Sequence, residues 1–174
     1  MVTLIGNQIY LRALERNDLD FLFELENNTD VWEVSGTITP YSKNVLQLYL
    51  DNAHRDLFDV KQLRLVICDL NEKAVGLIDV FDFEPNHKRA GIGIIILNKE
   101  QRNKGFGGEA VLILCNYLFD VLGLRQIYAN ILEENVASLH LFKKLGFVEI
   151  GVKEDWVRVK NSFKNEILLQ KINR

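Results

Sequence analysis

The run Gly91-Ile92-Gly93-Ile94-Ile95-Ile96-Leu97 leads into Asn98-Lys99-Glu100-Gln101-Arg102-Asn103-Lys104-Gly105-Phe106-Gly107-Gly108. An apolar strand here empties into a polar, basic, glycine-rich turn that opens a helix. The first N–H groups of a helix have no partner within it, and the helix dipole adds positive potential, so such a turn is an anion site. Its glycines let a phosphate approach the backbone, and Arg102 and Lys104 add charge. A strand-to-helix turn that needs glycine only for tight packing would look the same. Two other phosphate patterns are missing: there is no G-x-x-x-x-G-K-[ST], and Gly105-x-Gly107 lacks the third glycine of a dinucleotide fingerprint.

A carboxylate supplies the second chemical feature. Asp79 lies in the strand-like run Lys73 to Phe83, and strict alternation sets it with Val75, Leu77, Phe81 and Phe83 on one otherwise apolar face. A carboxyl stripped of water there is suited to act as a general base or as the anchor for a cation. A strand bulge that turned Asp79 outward would leave it an ordinary surface group. Other chemistries lack support: His54, His87 and His140 are isolated, no Cys/His pair has zinc-ligand spacing, and no G-x-S-x-G elbow occurs. Cys68 and Cys115 both sit in apolar runs and read as reduced, buried thiols.

The elements that must position these groups follow from periodicity. Ile9 to Leu14 alternates as a strand, and Asn17 or Asp18 caps a helix through Leu19, Leu22, Phe23 and Leu25. Residues 27–41 read as loop, and Ser42 caps a second helix. Strand-sized runs follow at Leu63 to Leu70, Lys73 to Phe83 and Arg89 to Leu97, with a turn at Asp69 to Glu72. Gly105 to Leu122 is a long apolar helix stopped by Gly123, Gln126 to Leu132 a strand, and Asn135 to Leu145 a helix. That last helix has Asn at its start, Lys143 and Lys144 in its last turn and Gly146 beyond. Strands Phe147 to Lys153 and Trp156 to Leu169 close a mixed α/β sheet.

Composition narrows the class. Hydrophobic residues make up 48% and charged residues 26% of the 174, the balance of a soluble globular chain. No charged-then-apolar leader opens the sequence, and no apolar run approaches the roughly 18 residues of a membrane span, so a cytoplasmic protein is expected. A net charge of −3 argues against a nucleic-acid partner. Residues 1–60 hold ten Asp/Glu against four Lys/Arg, while residues 61–174 hold fourteen against seventeen. The acidic part suits a cationic partner and the basic part an anionic one, although solvated helix faces give the same balance.

Arg102-x-x-Gly105-x-Gly107 resembles the [QR]-x-x-G-x-[GA] signature of the GNAT acetyltransferases. Asn135-Val136-Ala137-Ser138 followed by Leu141-Phe142-Lys143-Lys144-Leu145-Gly146-Phe147 is similar to the family's later N-x-x-[AS]…LY-x-K-x-GF block, at the family's spacing. Leu11-Arg12-Ala13-Leu14 with Asp18 resembles its opening strand, and Val75-Gly76-Leu77-Ile78 its third core strand. The resemblance covers essentially the whole chain and is nearest to the branch of spermidine/diamine and ribosomal-protein N-terminal acetyltransferases.

The resemblance implies one mixed α+β domain over residues 1–174, with a central sheet that splays open between residues 91–97 and 126–132. It implies acetyl-CoA as co-substrate, no metal, and direct transfer to a primary amine. A polyamine is the first acceptor, a basic protein N-terminus or lysine the second; homo-oligomerisation is left open. Ile95, Ile96 and Leu97 would offer backbone groups to the acetyl and pantetheine portions. Arg102, Asn103, Lys104, Gly105, Phe106, Gly107 and Gly108 would hold the pyrophosphate, and Asn135 would touch the cofactor from the next helix. Glu33, in the family's substrate-loop region, joins Asp79 as a candidate base, and Trp32 could pack on an amine's methylene chain. Phe142 stands where the family commonly has the Tyr that protonates the leaving thiolate. His140 lies on another helix face, and Tyr128 is the remaining hydroxyl considered. Without that Tyr, a non-catalytic acyl-CoA-binding module is an alternative, and a nucleotide-binding domain a third reading.

Overall fold

The structure, a computed structural model, describes residues 4–102 and 104–174. Seven strands form one sheet: β1 (Ile9–Ala13), β2 (Leu63–Asp69), β3 (Ala74–Glu84), β4 (Arg89–Ile96), β5 (Gln126–Leu132), β6 (Val148–Val159) and β7 (Ser162–Ile172), in the order β1-β2-β3-β4-β5-β7-β6. All neighbours are antiparallel except β4 and β5, so the sheet is mixed, as the sequence predicts. Helices α1 (Leu19–Glu26) and α3 (Lys43–Asp51) bury Leu22, Leu25, Leu46 and Leu50 on one face, against Val66, Cys68, Leu77 and Leu97. On the other face α5 (Phe106–Asn116) and α6 (Val136–Lys144) pack over the larger core, where Val111, Leu114 and Phe142 meet Ile78, Ile92 and Ile127.

The expected loop at residues 27–41 contains a helix, α2 (Thr29–Ser35). Asn28 caps it by accepting from the Asp30 N–H, and Gly36 ends it at φ +71°. Only Val31 of α2 is buried, so the segment carries no apolar period to announce it. A further single turn, α4 (Leu57–Val60), precedes β2. The long apolar helix is α5 followed by a π-helical turn over Tyr117–Val121.

At the C-terminal end the break expected at residues 154–155 is a bulge within β6, with Asp155 at φ +48°; the hairpin turn falls after Val159. Almost no residue of β6 is buried, so burial does not mark its ends.

Asp18, one of the two residues expected to cap the first helix, stands at the N-cap of α1, but its carboxylate makes no bond to that helix. It takes Arg12 at 2.7 and 2.8 Å and closes the preceding 3-10 turn by accepting from the Glu15 N–H at 2.7 Å. Burial alone would raise the Asp18 carboxyl pKa, but these hydrogen bonds hold it below the usual carboxylate range. The stability it contributes is present above the unfolded value of about 3.9 and is lost as pH falls through the lower native value. Asp18→Asn is expected to cost about 2 kcal/mol, roughly 6 °C in Tm, at neutral pH. The difference from wild type should vanish in acid, which melting curves taken across pH will check.

Candidate functional site

β4 and β5 pair only at Arg89/Gln126, Ala90/Ile127 and Gly91/Tyr128. Beyond those pairs β5 continues along β7 and β4 along β3, so the sheet parts and β4's edge at Ile94–Ile96 faces a cleft rather than a strand. The splay expected from the sequence is therefore present. Two cavities meet in it.

The first, of about 480 Å³, lies between the β4 edge, the glycine turn and α6. Ile95, Ile96, Arg102, Gly105, Gly107, Gly108 and Asn135 all line it, together with Ile94. Gly105 sits at φ +89° immediately before α5, a conformation that favours glycine. A Cβ on Gly108 would come within 3.2 Å of the Leu141 side chain, and one on Gly107 within 3.6 Å, so side chains there would fill the cavity floor. Arg102 folds back over the strand end and donates from Nε and Nη2 to the Ile96 carbonyl at 3.2 and 3.1 Å. Asn135 caps α6 by accepting from the Ser138 N–H at 3.2 Å.

Three residues of the expected set are placed elsewhere. Phe106 turns inward and packs on the main core. Leu97 is buried under α1 and α3, and its N–H is taken by the Val75 carbonyl at 3.0 Å. Lys104 is exposed and does not line the cavity. Asn103 lies outside the described residues.

The second cavity, of about 400 Å³, adjoins the first and is acidic: Glu26, Glu33, Asp79 and Glu166 line it. Asp79 shares its face with Leu77 and Phe81, as alternation requires, but not with Val75 and Phe83. Irregular register at both ends of β3 sends those two to the opposite core. Nor is Asp79 a lone carboxylate. Arg64, directly across the ladder on β2, donates to it from Nε at 2.6 Å and Nη2 at 3.1 Å, and from Nη1 to Glu26 at 2.7 Å. The Tyr49 ring centroid is 5.8 Å from the guanidinium carbon. Burial works against the Arg64 charge, yet Asp79 beside it, then Tyr49 and Glu26, hold its pKa above the ordinary value. Two carboxylates against one guanidinium leave this cluster with one net negative charge.

The space that Gly91 leaves by lacking a side chain is filled by Phe81, whose ring would lie 2.2 Å from an added Cβ.

Glu33, the other candidate base, is engaged as well. Lys164 on β7 pairs with it and also with Glu134, the latter at 2.6 Å. Hydrogen bonds with Glu134 and Glu33 raise the Lys164 pKa. The Trp32 Nε1–H donates to the Glu26 carbonyl at 2.8 Å, so Trp32 anchors α2 instead of lining either cavity. Glu166 pairs with Lys153, which also donates to Asn130 at 2.9 Å.

None of Arg64, Glu26, Glu166, Lys153 or Lys164 is among the site residues expected from the sequence. For Arg64 a signal exists: a charged residue within the apolar run Leu63 to Leu70. Projecting the register from the Asp69–Lys73 turn sets it opposite Ile78, however, and only the extra residue Val75 brings Asp79 into line.

Phe142 lines the acidic cavity, is 2% exposed, and meets Phe147 edge-on at 5.0 Å. Tyr128 stays out of both cavities and donates to Asp82 at 3.0 Å; burial and that bond push its pKa up to about 12. Burial likewise pushes the Cys115 thiol up to about 11, which leaves it inert. No group of three or more metal-ligating side chains occurs among the described residues.

Residues 8–148 match the family model described as Acetyltransferase (GNAT) domain. The spermidine N(1)-acetyltransferase of Vibrio cholerae serotype O1 is 32% identical over 149 residues, 84% of this chain and 83% of that protein. The crystal structure of a V. cholerae spermidine N-acetyltransferase in complex with CoA and spermine superposes with a TM-score of 0.86, at 28% identity and 96% coverage of both chains. A dodecameric structure of the V. cholerae enzyme gives 0.80, at 29% identity, covering 96% of this chain and 95% of that one. With a split sheet, a glycine turn opening α5 at the split and a family match over most of its length, this chain belongs to the GNAT acetyltransferases.

Proposed function

We propose that this N-acetyltransferase moves the acetyl group of acetyl-CoA to a primary amine of a linear polyamine, with residues 1–174 acting as one domain. The observation that carries this reading is the acidic cavity: the net-negative Glu26–Arg64–Asp79 cluster lies beside the glycine-turn cavity, where a second ammonium of the acceptor gains most. The spermine-bound neighbour and the spermidine acetyltransferase relative point the same way.

The residues present fit acetyl-CoA: the glycines bring no side chains of their own into the cradle, and beyond Gly91 the β4 edge pairs with no strand on the cleft side. Bound acetyl-CoA supplies the activated acetyl thioester. Arg102 and the first N–H groups of α5 hold the pyrophosphate, while the backbone at Ile95 and Ile96 receives the pantetheine amides and stabilises carbonyl charge as it develops. Asn135 fixes the start of α6 along the same wall. Asp79, with both oxygens accepting from Arg64, serves chiefly as a cation anchor, and Glu33 does so at the α2 side.

The enzyme is proposed to work in the cytoplasm, in keeping with its two free, buried cysteines; no helix among the described residues is long and apolar enough to cross a membrane. It is proposed to assemble as a homo-oligomer, on its likeness to the dodecameric neighbour. Phe142 favours a second reading, a domain that binds acyl-CoA without turnover.

CoA-thiol release measured across spermidine, spermine, putrescine, small aminoglycosides and basic N-terminal peptides separates these readings. Release is expected with polyamines at the lowest KM. Release with peptides alone would move the acceptor to protein N-termini, and binding of acetyl-CoA without release on any amine would establish the second reading.

A further inference from the structure

The two cavities have five lining residues in common: Val34, Ile94, Ile95, Asn135 and Ser138. Whatever passes between a donor in one cavity and an acceptor in the other passes there. Val34, Ile94 and Ile95 have no polar side-chain atom. Asn135 spends its carbonyl oxygen on the Ser138 N–H, and its amide nitrogen donates hydrogen bonds without transferring protons at neutral pH. Ser138 is left as the one shared residue with a hydroxyl. It stands one helical turn before buried Phe142, on the same inward face of α6, and is itself half-buried. Its backbone N–H donates to the Asn135 side chain, which fixes its place in the first turn of α6 beside the junction.

We propose that Ser138 is the proton-transferring residue of this acetyltransferase, carrying the proton that Phe142 cannot. The inference rests on the acetyl-transfer reading above. As the free amine's nitrogen bonds to the acetyl carbon and the carbon–sulfur bond breaks, the sulfur takes the proton of the Ser138 hydroxyl. Ser138 Oγ in turn takes the proton that the nitrogen must lose. The amide and the free thiol leave, and the hydroxyl is restored with no outside acid. In the resting complex with CoA, the same hydroxyl donates to the sulfur and favours the thiolate. The charged and titratable groups lining the two cavities around the junction are Glu26 on α1, Asp30 and Glu33 on α2, Arg64 on β2, Asp79 on β3, Arg102 on the glycine turn, His140 and Lys144 on α6, and Glu166 on β7. Changes confined to Ser138 leave all of them in place.

The decisive experiment titrates the ultraviolet thiolate absorbance of bound CoA in wild type, Ser138→Ala and Ser138→Thr, with CoA affinity measured by calorimetry on the same samples. The alanine variant is expected to raise the bound thiol's pKa by about one unit. It should also lower kcat about 100-fold, with the KM for acetyl-CoA within twofold. The threonine variant keeps a hydroxyl and should retain both the pKa and most of kcat. An unchanged thiol pKa in Ser138→Ala overturns the proposal, as does a loss in Ser138→Ala that threonine does not restore. The titration needs only CoA, so it stands even if no amine proves to be a substrate, and failure of the acceptor reading is scored separately by thiol release.

Discussion

Asp79→Asn is expected to lower kcat/KM for a diamine or longer polyamine about 100-fold while leaving the KM for acetyl-CoA within twofold. The substitution keeps the volume of the side chain and an oxygen for Arg64, so the fold survives; Glu26 still answers the guanidinium at 2.7 Å. What disappears is the surplus charge of the cluster. Two carboxylates and one guanidinium present a net negative charge to the cavity, whereas one carboxylate and one guanidinium present none. Losing one member of a desolvated charge pair costs about 2–5 kcal/mol, and a factor of 100 lies within that range. Monoamines, with no second ammonium to anchor, should lose far less, and raising ionic strength should narrow the gap between wild type and variant. Equal losses for monoamines and polyamines would assign Asp79 to proton removal instead; full retention with polyamines would remove it from the site.

Gly76→Ala is expected to have the largest effect on stability. Its Cβ would lie 2.2 Å from the carbonyl oxygen of Ile95, 3.0 Å from Ile96 Cδ1 and 3.2 Å from the carbonyl carbon of Ile95. The obstacle is backbone, in the strand that pairs with Gly76 on the next rung, so no side-chain rotation relieves it. β3 and β4 must separate, at a cost of about 3 kcal/mol, or roughly 9 °C in Tm. Ile95 borders both cavities, so CoA affinity should fall along with stability. Gly151→Ala supplies the control: nothing lies within 4 Å of its added Cβ, and its melting temperature should match wild type. Equal melting temperatures for the two variants would show that the sheet gives way at Ile95 without cost.

What the sequence reveals and conceals follows from where burial dominates. Strand β5 begins and ends at the predicted residues because it is sandwiched in the core, and α6 is announced by Asn135 at one end and two lysines at the other. The glycine turn is legible because its chemistry is local: strand, basic turn and helix start are contiguous. The second cavity is not local. Its carboxylates come from α1, α2, β3 and β7, and their cations from β2, β6 and β7, joined only by folding. The Arg64–Asp79 pair turns on a single extra residue, Val75, which no periodic pattern registers. Helix α2 escapes notice for the opposite reason: it buries one residue and is held by partners elsewhere, Trp32 to the Glu26 carbonyl and Glu33 to Lys164.

That helix has a thermodynamic consequence. α2 sends Asp30, Val31 and Val34 toward the glycine-turn cavity, and Glu33, Val34 and Ser35 toward the acidic one. A short segment that borders both cavities couples whatever binds in them. Free energy that one ligand spends on placing α2 is free energy the other need not spend, and the coupling is equal in both directions. Under the proposed function, the placement of seven residues then enters the affinity for the acetyl donor and the affinity for the amine alike.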